Sequence, residues 1–159
     1  MHPIKPIGII RSPHTSAEGM PIQPKGAPQA VGRIIVDEAF RDGLHDLDGF
    51  SHIYILYSFH QATRTELLVT PFMDTQERGV FATRSPLRPN HIGMSLVELV
   101  RVEGNQVYVT GIDVLDGTPL LDIKPYIKEF DAVKASKSGW MRSSDEEVST
   151  KRSDERFKY

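Results

Sequence analysis

The chain has 159 residues, 39% of them hydrophobic and 25% charged, which predicts one soluble domain with a substantial core. It contains no cysteine, which excludes disulfides, thiolate nucleophiles and cysteine zinc sites. No apolar run approaches the ~20 residues of a membrane span, so we expect a cytoplasmic protein with no membrane partner. With a net charge of −2, any nucleic-acid partner must be met by a local basic patch.

The first third of the chain predicts two strands joined by a long irregular loop. Residues 7–10 and 32–36 are rich in isoleucine and valine, as strands are. Between them, residues 13–29 hold repeated prolines and glycines. A loop of this length is either functional or a flexible connection, and the sequence leaves both open. Pro21 and Gln23 are the candidate site residues within it.

Residues 51–60 predict a central strand whose alternate side chains share one face. His60 and Gln61 at its end either face a ligand or complete the hydrogen bonding of a sheet rim. His52 and His60 lie ~27 Å apart at ~3.3 Å per residue along a strand, so they cannot share a metal. We therefore expect no metal site.

An unusual proline-rich stretch, residues 79–95, carries Arg84 and Arg88 beside Asn90. Its two prolines predict a stiff loop instead of a helix or a ladder-forming strand, with Val80 and Phe81 expected to be buried. Arginines held in such a loop suit a carboxylate or a phosphate, because the planar guanidinium bonds two oxygens at once. The alternative is a rigid surface turn with solvated charges.

Residues 96–102 and 106–114 predict a β-hairpin. On its second arm Asp113 ends an otherwise apolar row, where a carboxylate needs a partner. The following stretch adds Asp116, then Asp122 and Lys124. Either Asp122 and Lys124 form one structural ion pair beside a turn, or some of these carboxylates bind ligand hydroxyl and amine groups.

Several short strands separated by turns, with one or a few short helices, predict a mainly β protein. We expect a single small antiparallel β-barrel over residues 1–131, followed by a polar extension over 132–159 in which Trp140 is anchored and the end is loosely ordered. No glycine-rich dinucleotide fingerprint or phosphate-binding loop is present, which argues against a Rossmann fold.

Four motifs carry a resemblance to a known family. They are Gly-Val-Phe-Ala-Thr-Arg-Ser-Pro at 79–86, Arg-Pro-Asn at 88–90, Asp-Gly-Thr-Pro at 116–119 and Asp-Ile-Lys-Pro-Tyr at 122–126. Together they resemble the TsaA-like, or TrmO-type, β-barrel tRNA methyltransferases, over most of the chain from Pro6 to about Asp131. The resemblance implies a homodimer that uses S-adenosylmethionine to methylate N6 of threonylcarbamoyladenosine, next to the anticodon of tRNA.

The resemblance also implies site residues. In the cofactor pocket, Asp113 or Asp116 would hold the ribose hydroxyls or the ammonium group, and Arg84 would meet the carboxylate. Any general base for N6 would come from His60, Asp113 or Asp116. The full cofactor set is Pro21, Gln23, His60, Gln61, Arg84, Asp113, Leu115 and Asp116, and the set for RNA or substrate is Arg88, Asn90 and Lys124.

Two other functions stay open at this point. The same barrel could methylate a different base or a small metabolite, or it could bind S-adenosylmethionine as a sensor without chemistry. Some relatives carry a further C-terminal domain after the Asp-Ile-Lys-Pro-Tyr block, whereas a short polar tail follows it here.

Overall fold

A computed structural model of the chain describes residues 1–16, 18–20, 22, 30–72 and 74–141. Its strands are β1 (Gly8–Arg11), β2 (Val31–Val36), β3 (His52–Ser58), β4 (Leu68–Val69), β5 (Arg78–Gly79), β6 (Ile92–Glu103), β7 (Gln106–Thr110) and β8 (Thr118–Pro125). One short α-helix, α1, covers Lys128–Asp131. Short 3₁₀ helices cover Glu38–Leu44, Leu47–Gly49, Val80–Ala82 and Pro89–His91.

Six of these strands close into an antiparallel barrel in the order β1, β2, β7, β6, β3, β8, and β8 pairs with β1 to complete it. β4 and β5 form a separate two-stranded ladder. Closure leaves the barrel without the unpaired edges of an open sheet. The predicted fold class, a small mainly β antiparallel barrel, is confirmed.

Alternation along the strands explains how the barrel fills. In β3, Ile53, Ile55 and Tyr57 point inward and are buried, while the residues between them lie partly exposed on the outer face. β2 and β7 alternate in the same way, because successive side chains of a strand point to opposite faces. The interior therefore holds apolar side chains from every strand of the barrel: Ile10, Ile34, Val36, Ile53, Ile55, Tyr57, Val97, Val107, Val109 and Leu120.

The proline-rich stretch differs from its prediction in two ways. Its last residues, from Ile92 onward, belong to β6, so the predicted loop ends four residues earlier than expected. Val80 is buried as expected, but Phe81 is 74% exposed, because the 3₁₀ turn Val80–Ala82 points these neighbours in different directions. Val80 packs instead with Val69 and Leu87 in a small satellite core.

Hydrogen bonds hold residues 83–91 as a stiff loop. Leu87 N–H donates to Ser85 Oγ at 3.1 Å, and His91 bonds the carbonyl of Pro86 through Nδ1 at 2.9 Å. The carbonyl of His91 accepts from Phe59 N–H at 2.8 Å, which fixes the loop to the end of β3. Asn90 takes a left-handed φ of 66°, a conformation that asparagine tolerates better than most residues.

β8 was not predicted as a strand, because its sequence begins and ends with turn-like proline dipeptides. Beyond it, Trp140 donates its indole N–H to the carbonyl of Ala82 at 2.8 Å. The division into a barrel and a C-terminal extension stays a prediction, and residues 142–159 lie outside the described part. Within that part, no helix is long and apolar enough to cross a membrane.

Candidate functional site

A pocket of about 290 Å³, counting its open mouth, lies at one end of the barrel. Its walls come from the end of β3, the segment that follows β7, the start of β8 and the segment that follows β1. The lining residues are Met20, Tyr57, Phe59, His60, Gln61, Asp113, Val114, Leu115 and Thr118.

Gly93 shapes this end of the barrel by leaving room for aromatic rings. A Cβ at position 93 would lie 2.3 Å from Cε2 of Tyr57 and 2.8 Å from Cζ of Phe59. These two rings pack edge to face with centroids 5.5 Å apart. Gly93 is therefore required for the close approach of β6 to the aromatic wall of the pocket.

Asp113 is held by a chain of hydroxyl groups inside the barrel. Ser95 Oγ donates to Asp113 Oδ1 at 2.6 Å, and the hydroxyl of Tyr57 bonds Ser95 Oγ at 2.9 Å. Ser95 has one hydroxyl proton, so while it donates to Asp113 the tyrosine must be the donor in the second bond. This meets the expectation that the carboxylate at the end of an apolar row has a partner.

The surroundings of Asp113 favour its neutral form. Burial raises the pKa of Asp113 from its ordinary 3.8 to about 7, although the hydrogen bond from Ser95 and the charge of Arg84 act in the opposite direction. A carboxyl group of this kind changes its protonation near neutral pH. Perturbed groups in clefts are frequent at functional sites.

Asp116 lies next to the pocket but is engaged with the segment that follows β1. Its Oδ1 accepts from Ser12 N–H at 3.1 Å, and its Oδ2 lies 3.6 Å from the guanidinium of Arg11. Its own N–H donates to the carbonyl of His14 at 2.7 Å. Contacts with the end of β1 and the segment that follows it therefore stabilise the turn that carries Asp113 and Asp116.

The structure brings together four of the predicted cofactor residues, since His60, Gln61, Asp113 and Leu115 all line the pocket. Arg84 is exposed on the neighbouring loop, and its charge lowers the pKa of Asp113, so it lies within electrostatic reach of the pocket. Pro21 and Gln23 fall outside the described residues, although Met20 beside them reaches the pocket wall.

The three residues predicted for RNA or substrate are not among the pocket lining. Arg88 donates to the carbonyl of Thr83 at 2.8 Å, so it holds the shape of its own loop. Asn90 is exposed at the tip of that loop. Lys124 lies on the outer face of β8, 3.3 Å from Asp122. Asp122 and Lys124 thus form the ion pair of the first alternative, Asp113 lines the pocket, and ligand binding by these carboxylates stays a prediction.

Sequence reasoning missed Ser95 and the pocket roles of Tyr57, Phe59 and Thr118. Tyr57 and Phe59 were recognised as strand residues, but their place at the pocket depends on barrel closure. Ser95 lies opposite Ile55 in the ladder between β3 and β6, which puts it inside the barrel. A polar residue on the apolar face of a strand was the available signal, and the error in placing the start of β6 hid it.

The pocket combines the half-buried carboxyl group of Asp113 with the two aromatic rings of Tyr57 and Phe59. Asp113 attracts a cation in its ionised form, and an aromatic ring attracts a cation at its face through its quadrupole. His60 and Gln61 add hydrogen-bonding groups at the mouth. Fold and site together define a closed antiparallel β-barrel with a pocket lined by aromatic, hydrogen-bonding and carboxyl groups at one end.

Comparison with known proteins is in accord with this description. The pattern of the family described as "tRNA-methyltransferase O N-terminal domain" matches residues 9–132. The chain is 46% identical over 153 residues to a Pyrococcus abyssi protein named "Probable S-adenosyl-L-methionine-binding protein", covering 96% of this chain and 83% of that protein. It is 40% identical over 135 residues to the "tRNA (adenine(37)-N6)-methyltransferase" of Rattus norvegicus, covering 80% of this chain and 31% of the rat protein.

Among solved structures, the crystal structure of TrmO from Pseudomonas aeruginosa matches with a TM-score of 0.75 and 40% identity. That match covers 89% of this chain and 63% of the Pseudomonas chain. The protein belongs to the TrmO family, in the part of the fold that the family calls its N-terminal domain. This confirms the family predicted from the motifs.

Proposed function

We propose that this protein is an S-adenosylmethionine-dependent methyltransferase that methylates N6 of threonylcarbamoyladenosine next to the anticodon of tRNA. The observation that carries the proposal is the pocket in which His60, Gln61, Asp113 and Leu115 meet, on a barrel of the TrmO family. The name of the rat relative refers to methylation of tRNA at N6 of adenine 37 and that of the Pyrococcus relative to S-adenosylmethionine binding, which supports the type of reaction and the cofactor.

The residues present fit this cofactor. S-adenosylmethionine, when bound, supplies a methyl group on a positively charged sulfur that is open to in-line displacement. The carboxyl of Asp113 and the aromatic wall suit its ammonium and sulfonium charges, and the guanidinium of Arg84 suits its carboxylate. His60 and Gln61 can bond the adenine or ribose edges at the pocket mouth.

Catalysis in such a site comes mainly from positioning. The hydroxyl chain from Tyr57 through Ser95 holds the Asp113 carboxyl in one orientation. The apolar walls formed by Phe59 and Leu115 exclude water from the same space. Because its pKa is about 7, Asp113 can also take up a proton near neutral pH, which suits the late loss of the N6 proton.

The test is transfer of labelled methyl from S-adenosylmethionine to tRNA that carries threonylcarbamoyladenosine, with the same tRNA lacking the modification as the control. Label in the modified tRNA alone is the expected result. Cofactor binding by calorimetry without label in either tRNA would exclude this acceptor and favour a sensor or another substrate. Absence of both binding and transfer would overturn the proposal entirely.

We further propose that the protein acts as a homodimer in the cytoplasm. One outer face of the barrel is apolar: Met94 is 48% exposed and Leu96 is 36% exposed. Their ladder partners on β3 are Leu56 and Tyr54, which makes the patch continuous across two strands. A two-fold axis over such a patch would bury the same side chains from both copies.

Sedimentation analysis of wild type and a Leu96→Glu variant tests the dimer. We expect the wild type to sediment as a dimer and Leu96→Glu as a folded monomer, because a carboxylate on the patch would be buried unpaired. Val31→Glu is the matched control, since Val31 is an exposed aliphatic residue on β2, away from the patch. A monomeric wild type, or an undisturbed dimer in Leu96→Glu, would contradict this interface.

A further inference from the structure

One row of outward-facing side chains crosses the barrel on strands β1, β2, β7 and β6. Strand register places Arg11 opposite Arg33, Arg33 opposite Tyr108, and Tyr108 opposite Arg101. We call these four residues the basic row. Neighbouring strands lie ~4.8 Å apart, so the row spans ~14 Å across three strand gaps.

The row is more cationic than the chain as a whole, whose net charge is −2. Arg33 is exposed and has no ion-pair partner among the residues that the structure describes. Arg11 faces Asp116 at 3.6 Å and Arg101 faces Glu103 at 2.7 Å, and the side chains of both arginines are about half exposed. Because exposed ion pairs of this kind contribute ~0–1 kcal/mol, an incoming phosphate can compete with them.

The row also offers a flat surface. The guanidinium carbon of Arg101 lies 3.8 Å from the ring centre of Tyr108, which indicates stacking of the two groups. RNA-binding proteins use aromatic rings and guanidinium planes of this kind to stack unpaired bases. An acidic peptide would use the charges of the row but not this stacking surface.

The position of the row relates it to the pocket. Arg11 ends β1 and contacts Asp116, whose neighbour Leu115 lines the pocket. The row therefore begins at the pocket rim and crosses the outside of the barrel to Arg101 on β6, the strand whose first half carries Met94 and Leu96. An RNA strand that places one base in the pocket could continue along the basic row.

We propose that the basic row binds the backbone of the tRNA strand whose modified adenosine enters the pocket. This inference rests on the proposed function and adds the surface on which the RNA lies. Arg33 and Arg11 contact phosphates, and the stacked pair of Arg101 and Tyr108 holds a neighbouring base or sugar. The row supplies the local basic patch that a chain of net charge −2 needs for such a partner.

The test compares tRNA binding by wild type and the double variant Arg33→Gln with Arg101→Gln, over a range of salt concentrations. Arg11 is left unchanged because it contacts Asp116. We expect tRNA affinity to fall about tenfold and the slope of log affinity against log salt to drop by about 1 to 2, given ~0.7–0.9 per phosphate contact. The Kd for S-adenosylmethionine stays unchanged, and kcat at saturating tRNA is retained while KM for tRNA rises.

Lys128→Gln with Lys134→Gln is the matched control, because it removes the same charge from the segment after β8. Equal weakening by this control would show a general charge effect and overturn the basic row. If the wild type binds and methylates tRNA but the arginine variant shows the same salt slope, the basic row is also overturned. The proposed function would still stand after that result. If the wild type does not bind tRNA but binds anionic lipid vesicles, and the arginine variant loses that binding, the row would be assigned to a membrane surface instead.

Discussion

Replacing Asp113 with asparagine should remove a pH dependence of folding stability. The folded protein keeps Asp113 protonated up to a pKa of about 7, whereas the unfolded chain ionises it near 3.8. Between these values the folded state binds the extra proton, so the free energy of unfolding falls as pH rises, and the loss is complete above about pH 7. At ~1.4 kcal/mol per pKa unit, the wild type should lose about 3 kcal/mol between pH 5 and pH 8 that Asp113→Asn does not lose.

Urea unfolding of both proteins across this range measures the effect. Asparagine keeps the shape of the side chain and an oxygen that accepts from Ser95, so the variant tests charge and not packing. Other groups titrate equally in both proteins and cancel in the difference between their unfolding free energies. A difference that stays flat from pH 5 to pH 8 would refute the conclusion that the folded protein keeps the Asp113 carboxyl group neutral up to about pH 7.

Three further variants test how the site is built. Gly93→Ala should cost about 1–3 kcal/mol of stability, because the added methyl meets the Tyr57 ring, whereas Gly79→Ala meets nothing within 4 Å and should be near neutral in thermal unfolding. Arg84→Ala should weaken S-adenosylmethionine binding in calorimetry about tenfold without a change in Tm, since its side chain is exposed. Arg88→Ala should speed hydrogen exchange in loop 83–91 by removing a donor to a loop carbonyl, and unchanged exchange would contradict that role.

Local patterns in the sequence were sufficient to predict most strands of the barrel. In residues 52–58 the β-branched and aromatic residues with period two were enough to show the strand and which side chains share a face. The hairpin of β6 and β7 was visible because Gly104 and Asn105 lie between two apolar runs. Where prolines lie at or before a strand, the residue pattern predicts a loop or turn. For this reason β8 and the first residues of β6 were not predicted as strands.

The candidate site shows a different limit. Asp113 could be singled out because the predicted arm 106–114 put a carboxylate in an apolar row, although β7 ends at Thr110 and Asp113 lies in the segment that follows it. Its partner, Ser95, is distant in sequence and meets it only because β6 and the segment after β7 converge at one end of the barrel. The basic row depends even more on register, since its four side chains come from four strands and no local pattern connects them.

Closure of the sheet allows the proposed functions to occupy separate surfaces. On the outer face, β3 and the first half of β6 carry the apolar patch of Tyr54, Leu56, Met94 and Leu96, whereas β1, β2, β7 and the second half of β6 carry the basic row. The change falls along β6, where the register shift between Leu99 and Arg101 brings Arg101 to the outer face opposite Tyr108. A second copy on the apolar side would therefore leave the basic row free, so that dimer and tRNA can be bound at the same time while the pocket opens at the barrel end between them.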